Sequence, residues 1–268
     1  IAELQRKYSF FSPQNVRRIF RAYGTQAEKM FNNARFATDM GYISFGELTI
    51  STQGLAANRF VTETDQKEAS WYPFLAKGQV YRYTLAGAEI LFVDLGRFPS
   101  LKRYYDENPK LLIRRVINRQ DRLMATYTNE RLLFKKDVNP FVFKDLELNP
   151  LFVLGIFNSM LMSYLYMNTS SIATKDDFRQ TTLAELRRLP IRKIDFDIPA
   201  DTAKHDKMVK FVERMLDLHK QLAAVKIPDE KTRIQRQIDA TDKQIDQLVY
   251  DLYGLTEEEI AVVEEGGA

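Results

Sequence analysis

Residues 148–174 read LNPLFVLGIFNSMLMSYLYMNTSSIAT, with no Asp, Glu, Lys or Arg, in a chain where 28% of residues carry those charges. About twenty apolar residues is the length that a bilayer's hydrocarbon core demands, so the run is either a membrane span or the centre of a folded core. Its polar members decide between the two. Asn158, Ser159 and Ser163 interrupt the apolar positions Phe152, Ile156, Met160, Tyr164 and Met167, and such groups are costly in lipid yet fit a helix packed on a sheet. Asn149 stands as N-cap with Pro150 in the first helical position. The pattern predicts one core helix running to about Tyr166, with Gly155 permitting close approach of a neighbour.

The rest of the chain must cover that helix. From Tyr42 to Phe143 the segments YISFGELTIS, QVYRYTL, EILFVDL, KLLIRRVIN, RLMATYT and RLLFKK are short β-branched or aromatic runs separated by Gly, Pro, Asn and Asp, the signature of about six strands. Asn129-Glu130 between the last two suggests a hairpin. Before them, SPQNVRRIFRAYGTQAEKMFNN carries Ser12 as N-cap and Pro13 at the helix start, a helical lead-in. Beyond Pro199, Met208, Phe211, Met215, Leu218 and Leu222 are spaced 3, 4, 3, 4, and Ile234, Ile238, Thr241, Ile245, Leu248 and Leu252 are spaced 4, 3, 4, 3, 4. These are heptad seams, and the Pro-containing KIPDEK between them predicts an antiparallel, coiled-coil-like hairpin. Gly254 suits a helix C-terminus, and Thr256 with Glu259 forms a capping box for a short last helix.

Charge is unevenly spread over these parts. Residues 1–200 hold 29 Lys and Arg against 21 Asp and Glu, whereas residues 201–268 hold 10 against 15. A body of net +8 favours a polyanionic partner, and a tail of net −5 would be repelled by one. The basic residues concentrate in LKRYYDENPKLLIRRVINRQDRLMATYTNERLLFKK, ten against four acids over residues 101–136. Arg grips phosphate or guanine, and Asn and Gln pair with adenine, so this mixture suits reading DNA. On a strand, Arg114 and Arg115 point to opposite faces.

Catalytic motifs are missing. There is no G-x-G, P-loop or G-x-S-x-G elbow. NPFV at 139–142 and NPLF at 149–152 approach the N-P-P-[YF] tetrapeptide of amino-methyltransferases but lack its second Pro, and read better as a turn and a helix start. PDEK at 228–231 places adjacent acids at a helix N-terminus, not converging on a metal as a nuclease requires. His205 and His219 lie too far apart on one helix to share a metal and read as solvated residues. The absence of Cys excludes disulfides and points to a cytoplasmic protein. With Ile1 at its start, the chain reads as a fragment of a longer polypeptide.

Several of these pieces, in this order, resemble one family. FLAKGQVYRYTL is similar to the L-x-G-x-[DE]-I-x-R-Y segment of target-recognition (specificity) domains in Type IIG restriction-modification enzymes and related adenine-N6 DNA methyltransferases. KLLIRRVINRQDRLMATYTNERLLFKKDVNPFVF resembles their next strand-rich block, and NPLFVLGIFNSMLMSYLY their L-L-x-I-L-N-S-x-L-x-x-Y helix. LAELRRLPIRKID resembles the exit motif, and IDATDKQIDQLVYDLYGLTEEEIAVVEE the C-terminal helix. Gln79 and Met160 depart from the pattern, where an acid and a Lys or Arg are usual.

The resemblance implies an α+β fold: a helical lead-in over 1–38 from an upstream domain, a β-rich target-recognition domain with a core helix over 39–199, the helical hairpin over 200–254, and a short C-terminal helix and tail over 255–268. It implies a module that binds double-stranded DNA and carries no cofactor of its own. An upstream methyltransferase domain of the same polypeptide would supply S-adenosylmethionine chemistry, and a nuclease domain would use Mg. The DNA-binding candidates are Lys77 and Arg82 about the Gly78 turn; Arg114, Arg115, Arg119, Gln120 and Arg122 in the basic block; and Lys175, Arg179 and Gln180 on the loop after the uncharged helix. Two other readings remain open: a subunit-assembly module that pairs through the helical hairpin, and a nuclease with an unrecognised site.

Overall fold

The computed structural model describes residues 41–56, 60–96, 98–117, 122–170 and 179–265. The helical lead-in expected over 1–38 lies outside them. The architecture is α+β. One antiparallel sheet has the order β2 (Thr49–Ser51), β9 (Val138–Phe143), β6 (Lys110–Arg114), β7 (Ala125–Thr128). A second has the order β3 (Thr62–Glu63), β5 (Thr84–Asp94), β4 (Trp71–Tyr81), β8 (Leu133–Phe134). β1 (Tyr42–Ser44) and β10 (Pro190–Arg192) pair by themselves. Two short helices, α1 (Phe45–Leu48) and α2 (Pro99–Tyr105), connect strands.

The hairpin expected between RLMATYT and RLLFKK does not form. β7 pairs antiparallel with β6, while β8 pairs in parallel with β4 in the other sheet. Leu133 and Phe134 are fully buried in the core beneath the second sheet, with Phe74, Leu75 and Leu112. A hairpin partner would strand them in water, so burial overrides the local turn signal.

The uncharged run folds as two helices, α3 (Pro150–Asn158) and α4 (Met160–Thr169), bent by 62° at Ser159. Asn149 caps α3 as expected, its side chain accepting from Leu151 N. The single expected helix breaks because Ser159 takes an extended conformation and its hydroxyl caps the first turn of α4, accepting from Met162 N. No single described helix is long and apolar enough to cross a membrane. α3 is instead sheathed in protein, with Phe152, Val153, Leu154, Ile156, Phe157 and Asn158 all 0% exposed.

After α5 (Leu183–Leu186) and β10, the chain enters α6 (Pro199–Ala224) and α7 (Pro228–Tyr253), joined by three residues and packed on each other, then α8 (Glu257–Glu265). Gly254 closes α7 at φ 65°, the left-handed cap for which glycine is suited. Thr256 and Glu259 exchange both bonds of the capping box.

The hairpin does not stand apart from the body. Met208, Val212, Met215, Leu218, Ile234, Ile238, Ile245 and Leu248 share one continuous core with α3, α4 and the first sheet. The buried stripe of α6 includes Val212, while the seam residue Phe211 is only half-buried, because α6 packs on α3 as well as α7. Gly155 makes that contact possible: a Cβ there would lie 2.4 Å from Met208 Sδ and 3.0 Å from Val212 Cγ2.

Candidate nucleic-acid interface

The ten expected DNA-binding residues divide into three groups. Arg119, Gln120 and Lys175 lie outside the described residues, as does the side chain of Lys77. The backbone around Lys77 differs from expectation. Gly78 is no turn; it pairs with Gly87 within the β4–β5 ladder, next to register shifts at Lys77. The turn comes at Arg82 and Tyr83, where Tyr83 adopts φ 61°, a conformation costing a non-glycine residue on the order of 1 kcal/mol. Burial of its ring in the core offsets that cost.

Arg82 and Arg122 form the second group, and both are turned inward. Arg82 sends Nη1 to Asp242 Oδ2 at 2.8 Å, Nη2 to Asp242 Oδ1, and Nε to the carbonyl of Asn158 at 3.1 Å. Arg122 Nη2 donates to the same carbonyl at 2.9 Å. This oxygen is available because α3 ends there, leaving terminal carbonyls without helical partners. Asp246, one turn beyond Asp242, accepts from Met160 N at 2.7 Å, one of the orphan donors at the start of α4. Asn158's amide meanwhile exchanges two hydrogen bonds with the backbone of Ala125 in β7, at 2.9 and 3.0 Å. Arg82 thus fastens the β4–β5 turn and the helix break to the hairpin, and Arg122 joins it on the Asn158 carbonyl. Arg is suited to that task by its planar fork of donors.

Electrostatics in this polar hub follow from its burial. Desolvation pulls the Arg122 guanidinium down, with the neighbouring Arg82 charge adding to it. Desolvation acts on Arg82 in the same sense, but Asp242 holds its value well up. Burial and repulsion from Asp242 raise Asp246 to about 6, against the opposing pull of Arg122. His219 is held down by burial and Arg82, and its ring stacks 6.3 Å from that of Tyr83. The histidines are therefore packed, not solvated: His205 is 7% exposed and lies between Phe152 and Phe196.

The third group comes together on the surface. Val116 and Gln180 form an antiparallel bridge, framed by Ile117 N donating to Arg179 O at 3.1 Å and Thr181 N to Arg115 O at 2.7 Å. Arg114, Arg115, Arg179 and Gln180, drawn from two segments more than sixty residues apart, thus become neighbours. Arg115 N also donates to Asp137 O at 2.8 Å, which brings the turn with exposed Lys135 and Lys136 alongside. Arg114 Cζ lies 5.5 Å over the ring of Tyr81, whose hydroxyl donates to Gln79 Oε1 at 2.9 Å. Sequence reasoning missed Lys135, Lys136 and Tyr81 as members of this surface; the exposed KK pair after an apolar RLLF run was the available signal.

Lys110 belongs elsewhere despite its place in the basic block. It is 0% exposed, and Nζ donates to the carbonyls of Asp106 and Asn108 at 2.7 and 2.9 Å. Desolvation lowers it to about 8. No cluster of His and acidic residues able to hold a metal occurs among the described residues.

Residues 38–191 match the family model of the TaqI-like C-terminal specificity domain. The chain belongs to that family. A protein of Methanocaldococcus jannaschii whose name describes a type II restriction enzyme and methyltransferase is 44% identical over 149 residues, 54% of this chain and 12% of the relative. The match therefore spans about one-eighth of that relative's length. Among solved structures, the type IIG restriction endonuclease BpuSI aligns with 85% of this chain and 33% of its own at 12% identity and a TM-score of 0.47. The Type IIL restriction-modification enzyme MmeI, in complex with DNA, aligns with 75% and 31% at 10% identity and a TM-score of 0.46. Both likenesses are too loose to carry geometry across.

Proposed function

We propose that this specificity domain reads duplex DNA in a sequence-specific manner for a restriction-modification enzyme, through the surface where the Val116–Gln180 bridge gathers Arg114, Arg115, Arg179 and Gln180. That gathering is the observation that carries the reading: two distant segments bring guanidinium groups and an amide to one place, in a body of net +8. Arg114, on the Val116 face, serves with Lys135 and Lys136 to hold phosphates, while Arg115 points to the opposite face, and amide side chains serve to read base edges. Lys77, Arg119, Gln120 and Lys175 stay in the proposal on sequence grounds alone.

The larger enzyme would place an S-adenosylmethionine-dependent adenine-N6 methyltransferase domain upstream in the same cytoplasmic polypeptide, flipping the target adenine from the stack. Where a nuclease domain accompanies it, Mg would serve that domain. The hairpin would hold the reading body at a fixed angle to its catalytic neighbour. Against the alternative of subunit assembly through the hairpin stands the burial of its apolar stripe within this chain.

Affinity for short duplexes should fall steeply with salt, with a log–log slope of roughly −4 to −8 if about five to nine phosphates are engaged. A flat salt response would refute the proposal.

A further inference from the structure

We propose that Val116 and Gln180 are a specificity-determining pair that reads one A·T base pair in the major groove. The inference rests on the DNA-reading function proposed above and deepens it by naming the base pair and the residues.

The geometry of the bridge sets the two side chains together. Val116 and Gln180 lie directly opposite, and the flanking bonds run from Ile117 N to Arg179 O and from Thr181 N to Arg115 O. This is the non-hydrogen-bonded type of antiparallel pair, in which Cα atoms approach to about 4.5 Å and side chains lie closest. The next residues along the two strands, Ile117 and Thr181, are 8% and 3% exposed. Since successive side chains alternate between faces, burial of Ile117 and Thr181 turns Val116 and Gln180 outward. Val116 is accordingly 36% exposed, and Gln180 is half-buried.

Together the two side chains complement one base pair. A Gln amide offers a donor and an acceptor in the arrangement that adenine N7 and N6 require, while the thymine partner projects a methyl group that seeks an apolar contact. A guanine presents two acceptors and cytosine no methyl, so the same pair of side chains disfavours G·C. The major groove, roughly 12 Å wide, admits two paired backbone segments. Arg114, two residues before Val116 and on its face, and the exposed Lys135 and Lys136, brought close by the Arg115–Asp137 backbone bond, are placed to grip phosphate.

The test is selection of preferred duplexes from a randomised pool by the full chain and by Gln180→Ala, Gln180→Glu and Val116→Ala, each first checked for an unchanged melting temperature. The wild-type chain should select a motif containing a fixed A·T position. Gln180→Ala should relax that position alone, cutting its discrimination by about 5- to 150-fold, with the remaining motif and the salt slope retained. Gln180→Glu should shift the position towards C·G, since a carboxylate accepts from cytosine N4, and Val116→Ala should weaken the thymine preference. A folded Gln180→Ala variant that selects the wild-type motif unchanged, or one that loses every position equally, would overturn the pair while leaving DNA reading intact. A wild-type chain that selects no motif would overturn both.

Discussion

Asp246 accepts the Met160 amide inside the core, where burial and the Asp242 charge push its carboxyl up to about 6 from an ordinary 3.8. The folded chain therefore holds this proton more tightly than the unfolded chain does. Stability must fall as pH rises from about 4 to about 6, by on the order of 2 kcal/mol from this group. Asp246→Asn keeps an acceptor for the Met160 amide and removes the titration. Urea melts of the variant should gain on the wild type across that pH window and run parallel to it above. Arg82 and Lys136 provide a contrast. Arg82→Met leaves Asp242 without its partner and should cost about 3 kcal/mol while leaving the salt slope of DNA binding unchanged. Lys136→Ala should shift stability by no more than about 0.5 kcal/mol and make the slope shallower by about 1.

The helices are the elements most readable in sequence, because their signals are local. Asn149 and Pro150, Gly254, and Thr256 with Glu259 each act within a few residues of themselves. The heptad spacing likewise locates both helices of the hairpin. What escaped was whatever depends on a partner far along the chain. Arg82 meets Asp242 at a separation of 160 residues, and nothing around Arg82 distinguishes it from a surface arginine. β8 joins β4 for the same reason, and the break at Ser159 needs Asp246, Arg82 and Arg122 to satisfy the groups it exposes. The gathering of Arg114, Arg115, Arg179 and Gln180 was legible only in part: the residue types could be named, their meeting could not. Two substitutions measure the helix contacts. Gly155→Ala should cost about 1–3 kcal/mol by pressing on Met208 and Val212. Ser159→Ala should cost about 1 kcal/mol through the lost cap. Thermal unfolding monitored by circular dichroism resolves both.

At the scale of the whole molecule, reading surface and hairpin are parts of one cooperative unit, since the core runs without interruption from the first sheet through α3 into α6 and α7. Truncation after residue 198 should therefore not yield a free-standing recognition domain. It uncovers Phe152, which packs on His205, and the Gly155 face, which meets Met208 and Val212, and should give an expanded state that binds hydrophobic dyes and unfolds without a sharp transition. The polar hub and the proposed base-reading surface share no residue. On that proposal, exchange of side chains around the Val116–Gln180 bridge should alter the sequence read without disturbing the fastening of body to hairpin.

The amide of Asn158 has an effect beyond the joint at which it sits. β7 is the last strand of its sheet, and an open strand edge invites another chain to add on and begin an aggregate. Ala125 directs its outward N–H and C=O to the Asn158 side chain, and Tyr83 N donates to the same carbonyl at 2.9 Å, so Asn158, a residue of the greasiest segment, helps to cover the start of the edge. Loss of that amide should show first as turbidity on storage.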